Sequence, residues 1–525
     1  MGVYMSKIVS VSNFGYEGSL VEVEVDLRRG IPAVDMVGLA DGAVKEMRER
    51  VRAAILNSGL DFPPERVLIS LSPADLRKEG GHFELAVALA VLHEQDKRNV
   101  TEADDKKVAV FGGLELSGEV SPVRELFALL QTAEREHVRY AIVPEQGGVL
   151  PDGIKVVKVK NLAEAREALL AIAKEGAVTT KDWDNGFGKG YTEPGKDIDV
   201  RFSDIGDVGL RFDGIKGLDG LKYAMTASVA GGHHLLVIGK PGSGKTLMLQ
   251  HLSELMPGLL PEEAASVNRI YSLAGLAPKE GKITKRPFRM PHQTASIEGM
   301  CGGGPRLHPG EITLSHNGVL FLDEASEFKS SVLCMLRVPM ESKNITLSRA
   351  GRSTVFPAKF RLVMAANPCP CGNLGSHDKL CLCSASAVTQ YWKKFSAPLL
   401  DRVEIRLDCN NPADVPDGMN LTLEGCRGMI ARAWRTQYAR QGRLNADLDI
   451  AGLVEIQNSP QMDKNAADYV QSESMHRSWS MRTVGNVVKL ARTLADMDGS
   501  EMVTESHARR AVALHGVIPT IDEGI

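Results

Sequence analysis

Apolar positions along the first 170 residues keep changing period. Short β-branched runs such as Leu20–Leu27 and Val67–Leu71 predict strands, whereas Phe83, Leu85, Val87, Leu89 and Val91 fall within an apolar helix. This alternation predicts an α/β or α+β domain over residues 1–172. From Glu175 to Asp199 the apolar pattern stops: the stretch holds five glycines, a proline and scattered charge. It cannot bury enough apolar surface to fold alone, so residues 173–204 read as a linker. Strand, glycine loop and helix then follow one another, with further buried strands at Val319–Leu322 and Leu362–Ala365. That rhythm predicts a parallel sheet in a core spanning 205–409. Beyond Asn410 the period is helical, with amphipathic stretches at Leu423–Gln441, Met462–Ser474, Met481–Met497 and Thr504–His515, so 410–525 read as a helical lid.

Composition narrows the function classes. At 525 residues the chain is long enough for about three or four domains, and 43% hydrophobic residues exclude wholesale disorder. The net charge of −4 excludes binding to nucleic acid by bulk charge, so any such binding needs a local basic patch. There is no apolar run of about 18 residues and no signal-peptide core at the start, which predicts a cytoplasmic protein with no membrane partner.

The strongest chemical signal is Gly239-Lys240-Pro241-Gly242-Ser243-Gly244-Lys245-Thr246, between the apolar run Leu235–Ile238 and the helical Leu247–Leu255. It fits the phosphate-binding pattern G-x-x-x-x-G-K-[ST]. Glycines let successive N–H groups face a phosphate, and the helix N-terminus adds a favourable field. Lys245 would neutralise the β- and γ-phosphates of ATP, and Thr246 would ligate Mg²⁺. The strand Val319–Leu322 delivers Asp323 and Glu324 at its carboxyl end, where ligands of parallel sheets bind. Asp323 would complete the Mg²⁺ shell and Glu324 would polarise the attacking water.

Cys369, Cys371, Cys381 and Cys383 form C-P-C-x₉-C-x-C, two tight pairs able to converge on one tetrahedral Zn²⁺. The rival readings are a reduced thiol cluster or redox-sensitive disulfides, with His377 a substitute ligand. Cys301, Cys334, Cys409 and Cys426 are scattered and read as packing residues. Lys343–Lys359 predicts a hairpin turning at Ala350-Gly351, with Arg349 and Arg352 at its tip.

"HNGVLFLDE", "NPCPCG", "SAPLLDR" and "VKLARTLAD", with "VDMVGLADGAVKEMRERVRAAILNSG" and "LRKEGGHFELAVALAVL" nearer the start, resemble the magnesium-chelatase-like AAA+ ATPases of bacteria, in the ComM subfamily, over nearly the whole chain. The resemblance implies a homo-oligomeric ring, a hexamer, with ATP between neighbouring subunits. It assigns Asn367 as the sensor 1 residue that reads the γ-phosphate, Arg402 as the arginine finger reaching a neighbour's site, and Arg482 as sensor 2. The hairpin matches one that in related ring ATPases, including the MCM helicases, lines the pore and touches DNA phosphates, so Arg349 and Arg352 become DNA contacts repeated around a ring. Lys285–Gly304 matches the family's helix 2 insertion; where many relatives carry two adjacent histidines, this chain has His292-Gln293.

The front domain resembles the Lon-protease-type fold, also seen in a small-subunit ribosomal protein. Neither the serine nor the lysine of that protease stands at the matching places, so no peptidase activity is expected. Together these implications describe an ATP-driven ring motor on single-stranded or branched DNA, a helicase for branch migration in recombination or transformation. The competing readings are a protein-remodelling ATPase, a magnesium-chelatase motor subunit and a nucleotide-gated scaffold.

Overall fold

The computed structural model describes residues 7–37, 41–73, 81–97, 107–175, 198–203, 212–305, 307–349, 352–375, 379–409, 416, 419–449 and 461–518, the side chains of 41–45, 97, 174, 175 and 352 excepted. The front region is a seven-stranded mixed sheet in the order Val34–Val37, Arg66–Ser72, Glu17–Arg28, Lys7–Phe14, Lys107–Val110, Tyr140–Pro144, Lys155–Val159. Its strands alternate in the pleat: Ile8, Val108, Val110 and Ile142 join a core with the helix Glu84–Lys97, whereas Val9, Val11, Ala109, Ala141 and Val143 face the helix Leu126–Arg135. The region's last helix, Leu162–Glu175, runs three residues into the segment expected as linker.

The central region is a five-stranded parallel sheet in the order Phe288–Arg289, Val319–Leu322, Arg361–Ala366, Leu235–Ile238, Ile405–Asp408. Its central strands are wholly buried, so they carry near-continuous apolar runs rather than alternation. Leu235, Val237, Phe321 and Val363 pack on the helix Asp219–Gly231 and the C-terminal helices. Leu236, Ile238, Leu320 and Leu362 pack on Phe328, Val332, Trp392 and the hairpin residues Ile345, Leu347 and Phe356. The C-terminal helices run Leu423–Gln441, Lys464–His476, Met481–Asp498 and Glu505–Leu514, within two residues of the expected bounds. The helix expected over Leu247–Leu255 is instead broken at His251 into Lys245–Gln250 and Leu252–Leu255.

One buried cation ties the front sheet to the central region. Arg269, on the helix Pro261–Leu273, is fully buried. It donates to Tyr16 O (2.8 and 3.1 Å), Ala128 O (2.8 Å), Thr132 Oγ1 (3.1 Å) and Gln131 Oε1 (3.3 Å). Burial lowers its pKa to about 10, and the cluster of acceptors is what makes a buried guanidinium tolerable. The same Phe14-Gly15-Tyr16 turn reaches the hairpin: Tyr16 N donates to Thr354 Oγ1 at 3.0 Å, and the Tyr16 and Phe356 rings meet edge to face. Gly15 has φ 60°, and an added Cβ would lie 2.4 Å from Thr354 Cγ2, so no larger residue fits this junction.

Candidate nucleotide site

The strand Leu235–Ile238 fixes the start of the phosphate loop, with Gly239 N extending the ladder to Ala366 O at 3.2 Å. Gly242 and Gly244 take φ 75° and 82°, the left-handed turns that bring loop N–H groups to one side, and Gly244 caps the helix beginning at Lys245. Lys245 Nζ donates to Gly239 O (2.6 Å), Lys240 O (2.7 Å) and Ser243 Oγ (3.4 Å). Burial lowers its pKa, opposed by Cys409 and Asp323 nearby. A phosphate carries more charge than these carbonyls and would draw the ammonium from them.

Thr246 Oγ1 donates to Asp323 Oδ1 at 2.9 Å. Octahedral Mg²⁺ with oxygens at 2.0–2.1 Å places adjacent ligands about 2.9 Å apart, so this hydroxyl and carboxylate are spaced as two neighbouring Mg²⁺ ligands. Asp323 Oδ1 also accepts from Glu324 N at 3.0 Å. Glu324 sits in the left-handed region at φ 46°, uncommon for a residue with a side chain, and its carboxylate is exposed. Its Oε2 accepts from Gln293 Nε2. Sequence reading left Gln293 without a role; its amide holds the carboxylate expected to orient the water. Nothing local in the sequence signals that contact, because 31 residues separate the two.

Asn367 follows the strand Arg361–Ala366, which lies between those delivering Lys245 and Asp323, and Tyr391 Oη donates to its carbonyl at 3.0 Å. Lys245, Thr246, Asp323, Glu324 and Asn367 therefore converge at the carboxyl edge of the sheet.

Arg402 and Arg482 stand at the opposite edge. Arg402 precedes the strand Ile405–Asp408, and Arg482 lies in the first turn of Met481–Asp498. Both form ion pairs with Glu341: Arg402 through Nη2, and Arg482 through Nη2 at 2.9 Å. They border a cavity of about 820 Å³ with His234, Arg361 and Glu404, all at amino-terminal strand ends. A four-residue strand spans roughly 13 Å, so neither arginine is beside its own chain's phosphate loop.

The four cysteine sulfurs all lie within 4.8 Å of one another. Cys369 Sγ is 3.4 Å from Cys371 Sγ and 3.6 Å from Cys381 Sγ, and Cys371 and Cys381 are 3.6 Å apart. Tetrahedral Zn²⁺ with sulfurs at about 2.3 Å requires sulfurs roughly 3.8 Å apart, so the donor set and spacing fit that ion. An N–H bond from Asn373 leads in lowering Cys371 to about 6, which supplies a thiolate at neutral pH. His377 lies outside the described residues. Of the scattered cysteines, Cys426 is buried and Cys409 packs 3.0 Å from where a Gly239 Cβ would stand, but Cys334 is exposed on its helix and is not a packing residue.

The hairpin pairs Asn344–Arg349 with Arg352–Pro357, and Arg349 faces Arg352 in the register. Arg349 is exposed; residues 350–351 and the Arg352 side chain lie outside the described set.

The chain is 34% identical to the uncharacterized protein YifB of Escherichia coli, covering 96% of this chain and 95% of that protein. It is 32% identical to competence protein ComM of Haemophilus influenzae, with 97% of each covered. The chain belongs to the magnesium-chelatase-like AAA+ ATPase family, in the subfamily of YifB and ComM. Family models described as magnesium chelatase subunit ChlI match residues 23–147 and 211–415, and one for the ChlI C-terminal part matches 422–515. A shorter similarity, 29% identity over 185 residues, links 35% of this chain to 19% of the DNA helicase MCM8 of Gallus gallus. Membership makes the chain an ATPase using ATP and Mg²⁺. Among the described residues no helix is long and apolar enough to cross a membrane.

Proposed function

We propose that this ATPase works as a homo-oligomeric ring, a hexamer, in which each ATP is held by Lys245, Thr246, Asp323, Glu324 and Asn367 of one subunit and completed by Arg402 and Arg482 of the next. The observation carrying this reading is the placement of two arginines at the sheet edge opposite the phosphate loop. On this reading a neighbour's amino edge supplies a further cation, beside Lys245, for the charge that spreads over the γ-phosphate in the transition state. Glu341 would keep the arginines extended until the neighbour's nucleotide takes them.

The work done by hydrolysis, on this reading, is movement of single-stranded or branched DNA, a helicase activity of the branch-migration kind. Its supports are Arg349 and Arg352, paired at the hairpin end and multiplied by ring symmetry, and the helicase and competence names of relatives. The cysteine set would hold a structural Zn²⁺. The test is ATP turnover by the purified protein with no DNA, single-stranded DNA or a four-way junction at one moderate salt concentration. Stimulation strongest with the junction, and lost in Arg349→Ala/Arg352→Ala while basal turnover persists, is the expected result. Turnover indifferent to all three would replace the DNA motor with a protein remodeller.

A further inference from the structure

We propose that the four-cysteine site is the element that positions the nucleotide machinery: Zn²⁺ held by Cys369, Cys371, Cys381 and Cys383 locks the phosphate loop and Asn367 in register. The proposal rests on the nucleotide-site reading of Gly239–Thr246 and on the zinc reading of the cysteines, and assigns the metal a task in ATP binding.

Three contacts carry it. Cys369 follows Asn367 by two residues, so a ligand fixed on the metal leaves the γ-phosphate sensor only one residue of slack. Gly372, one residue past Cys371, has φ 77° and lies against the phosphate loop so closely that an added Cβ would be 2.5 Å from Pro241 Cδ and 2.7 Å from Pro241 Cγ. The cysteine turn therefore buttresses the phosphate loop directly, backbone against proline ring. Finally, the path closes on itself. Ser384, next to Cys383, caps the helix Ala385–Lys393 by accepting from Ala387 N at 3.2 Å. From that helix Tyr391 Oη and Trp392 Nε1 donate back to the carbonyls of Asn367 (3.0 Å) and Pro368 (3.1 Å).

In this circuit the helix anchors one end of the loop and the strand Arg361–Ala366 the other, and its two cysteine pairs near Pro241 meet through their sulfurs and through backbone N–H bonds from Leu382 to Cys371 and from Cys371 to Cys383. Binding Zn²⁺ would displace thiol protons and turn sulfurs that otherwise meet only at hydrogen-bonding distance into ligands of one cation. Without it the turn keeps only hydrogen bonds between its two cysteine pairs, and Gly372 and Asn367 lose their fixed distance from the phosphates. A displacement of about 1 Å at such positions is enough to cost on the order of a hundredfold in rate.

The experiment uses the full chain. Metal content by mass spectrometry is measured beside the affinity for a fluorescent ATP analogue and the circular dichroism spectrum, for wild type, Cys371→Ser/Cys383→Ser and Gly372→Ala. Wild type is expected to carry one zinc per chain. The cysteine variant should lose the metal and bind nucleotide about tenfold more weakly or worse, with its helical signal kept. Gly372→Ala separates the two claims, since it keeps all four ligands but presses a methyl group on Pro241: it should keep its zinc and still lose nucleotide affinity. Wild-type affinity in a zinc-loaded Gly372→Ala protein would overturn the coupling and leave the metal site standing. Purified wild type that holds no zinc and takes up none from micromolar Zn²⁺ would overturn both. Zinc-loaded wild type that binds no ATP would overturn the nucleotide reading, and the coupling with it, while sparing the metal site.

Discussion

The two edges of the parallel sheet are built in opposite ways. At the carboxyl edge, each functional group follows its own strand by one to eight residues: Asn367 after Ala366, Asp323 after Leu322, Lys245 seven residues after Ile238. At the amino edge, Glu341, Arg402 and Arg482 come from segments 61 and 141 residues apart and meet only through ion pairs. The first arrangement is a local consequence of strand and loop chemistry. The second depends on how the C-terminal helices cross the sheet, where Asn486 Nδ2 donates to Asp401 O at 2.9 Å. On the proposed reading one edge binds the nucleotide and the other serves a neighbour's site.

The sharpest way to break this contrast is to disable the edges separately. Arg402→Ala should bind ATP normally yet lose about a thousandfold in turnover, and Lys245→Ala should be inactive through lost binding. An equal mixture of the two inactive proteins should regain turnover, because about a quarter of ring interfaces would pair an intact loop with an intact arginine. A mixture that stays inactive under conditions where subunits exchange would disprove completion of the site by a neighbour.

Within the carboxyl edge the next effect is Glu324→Gln, expected to retain nucleotide and lose about a hundredfold in turnover by removing the base that polarises water. Gln293→Ala should change turnover only severalfold, since Glu324 itself remains. Single-turnover hydrolysis beside equilibrium nucleotide binding distinguishes these outcomes. Equal losses in both variants would make Gln293 a reacting group rather than a positioning one.

A last effect, on stability rather than turnover, concerns the amino edge. Burial pushes His316 and His515 down to about 4, with His316 Nδ1 accepting from Lys359 N at 3.0 Å and His515 Nδ1 2.7 Å from Glu404 O. Their folded pKa values lie below the unfolded value near 6.5, so the unfolded chain takes up protons first as pH falls. Stability should be full above about pH 6.5 and decline towards pH 4, by roughly 1–3 kcal/mol per histidine. Denaturant midpoints at pH 7, 5.5 and 4.5 test this, and a midpoint independent of pH over that range would refute it.

Much of the carboxyl edge was legible because its chemistry needs residues in fixed local order. The glycine loop, the acidic pair after an apolar strand and the helical stretches near the C-terminus could all be placed from spacing. The break at His251 was not legible, because the periodicity of Leu247–Leu255 continues through it while the backbone tightens, His251 N bonding to Met248 O at 3.1 Å. Arg269 carried no signal at all: a lone helical arginine looks solvated until the Tyr16 turn and Ala128 of another region bury it. Gln293 was visible only as a departure from its relatives' residue, and its partner Glu324 appeared once the insertion folded over the edge.

Sequence alone determined a phosphate-loop pattern, a candidate Mg²⁺-ligand pair, a candidate water activator and two cysteine pairs able to converge, because each is a short pattern whose spacing is itself the chemistry. Tertiary structure decided that Glu341 gathers Arg402 and Arg482 away from their own nucleotide site, that Gly372 bears on Pro241, and that Arg269 fastens the front sheet to the ATPase region. Those contacts join residues from 61 to more than 250 positions apart. Hydrophobic period records which face of an element is buried, and only the packed topology specifies what that face meets.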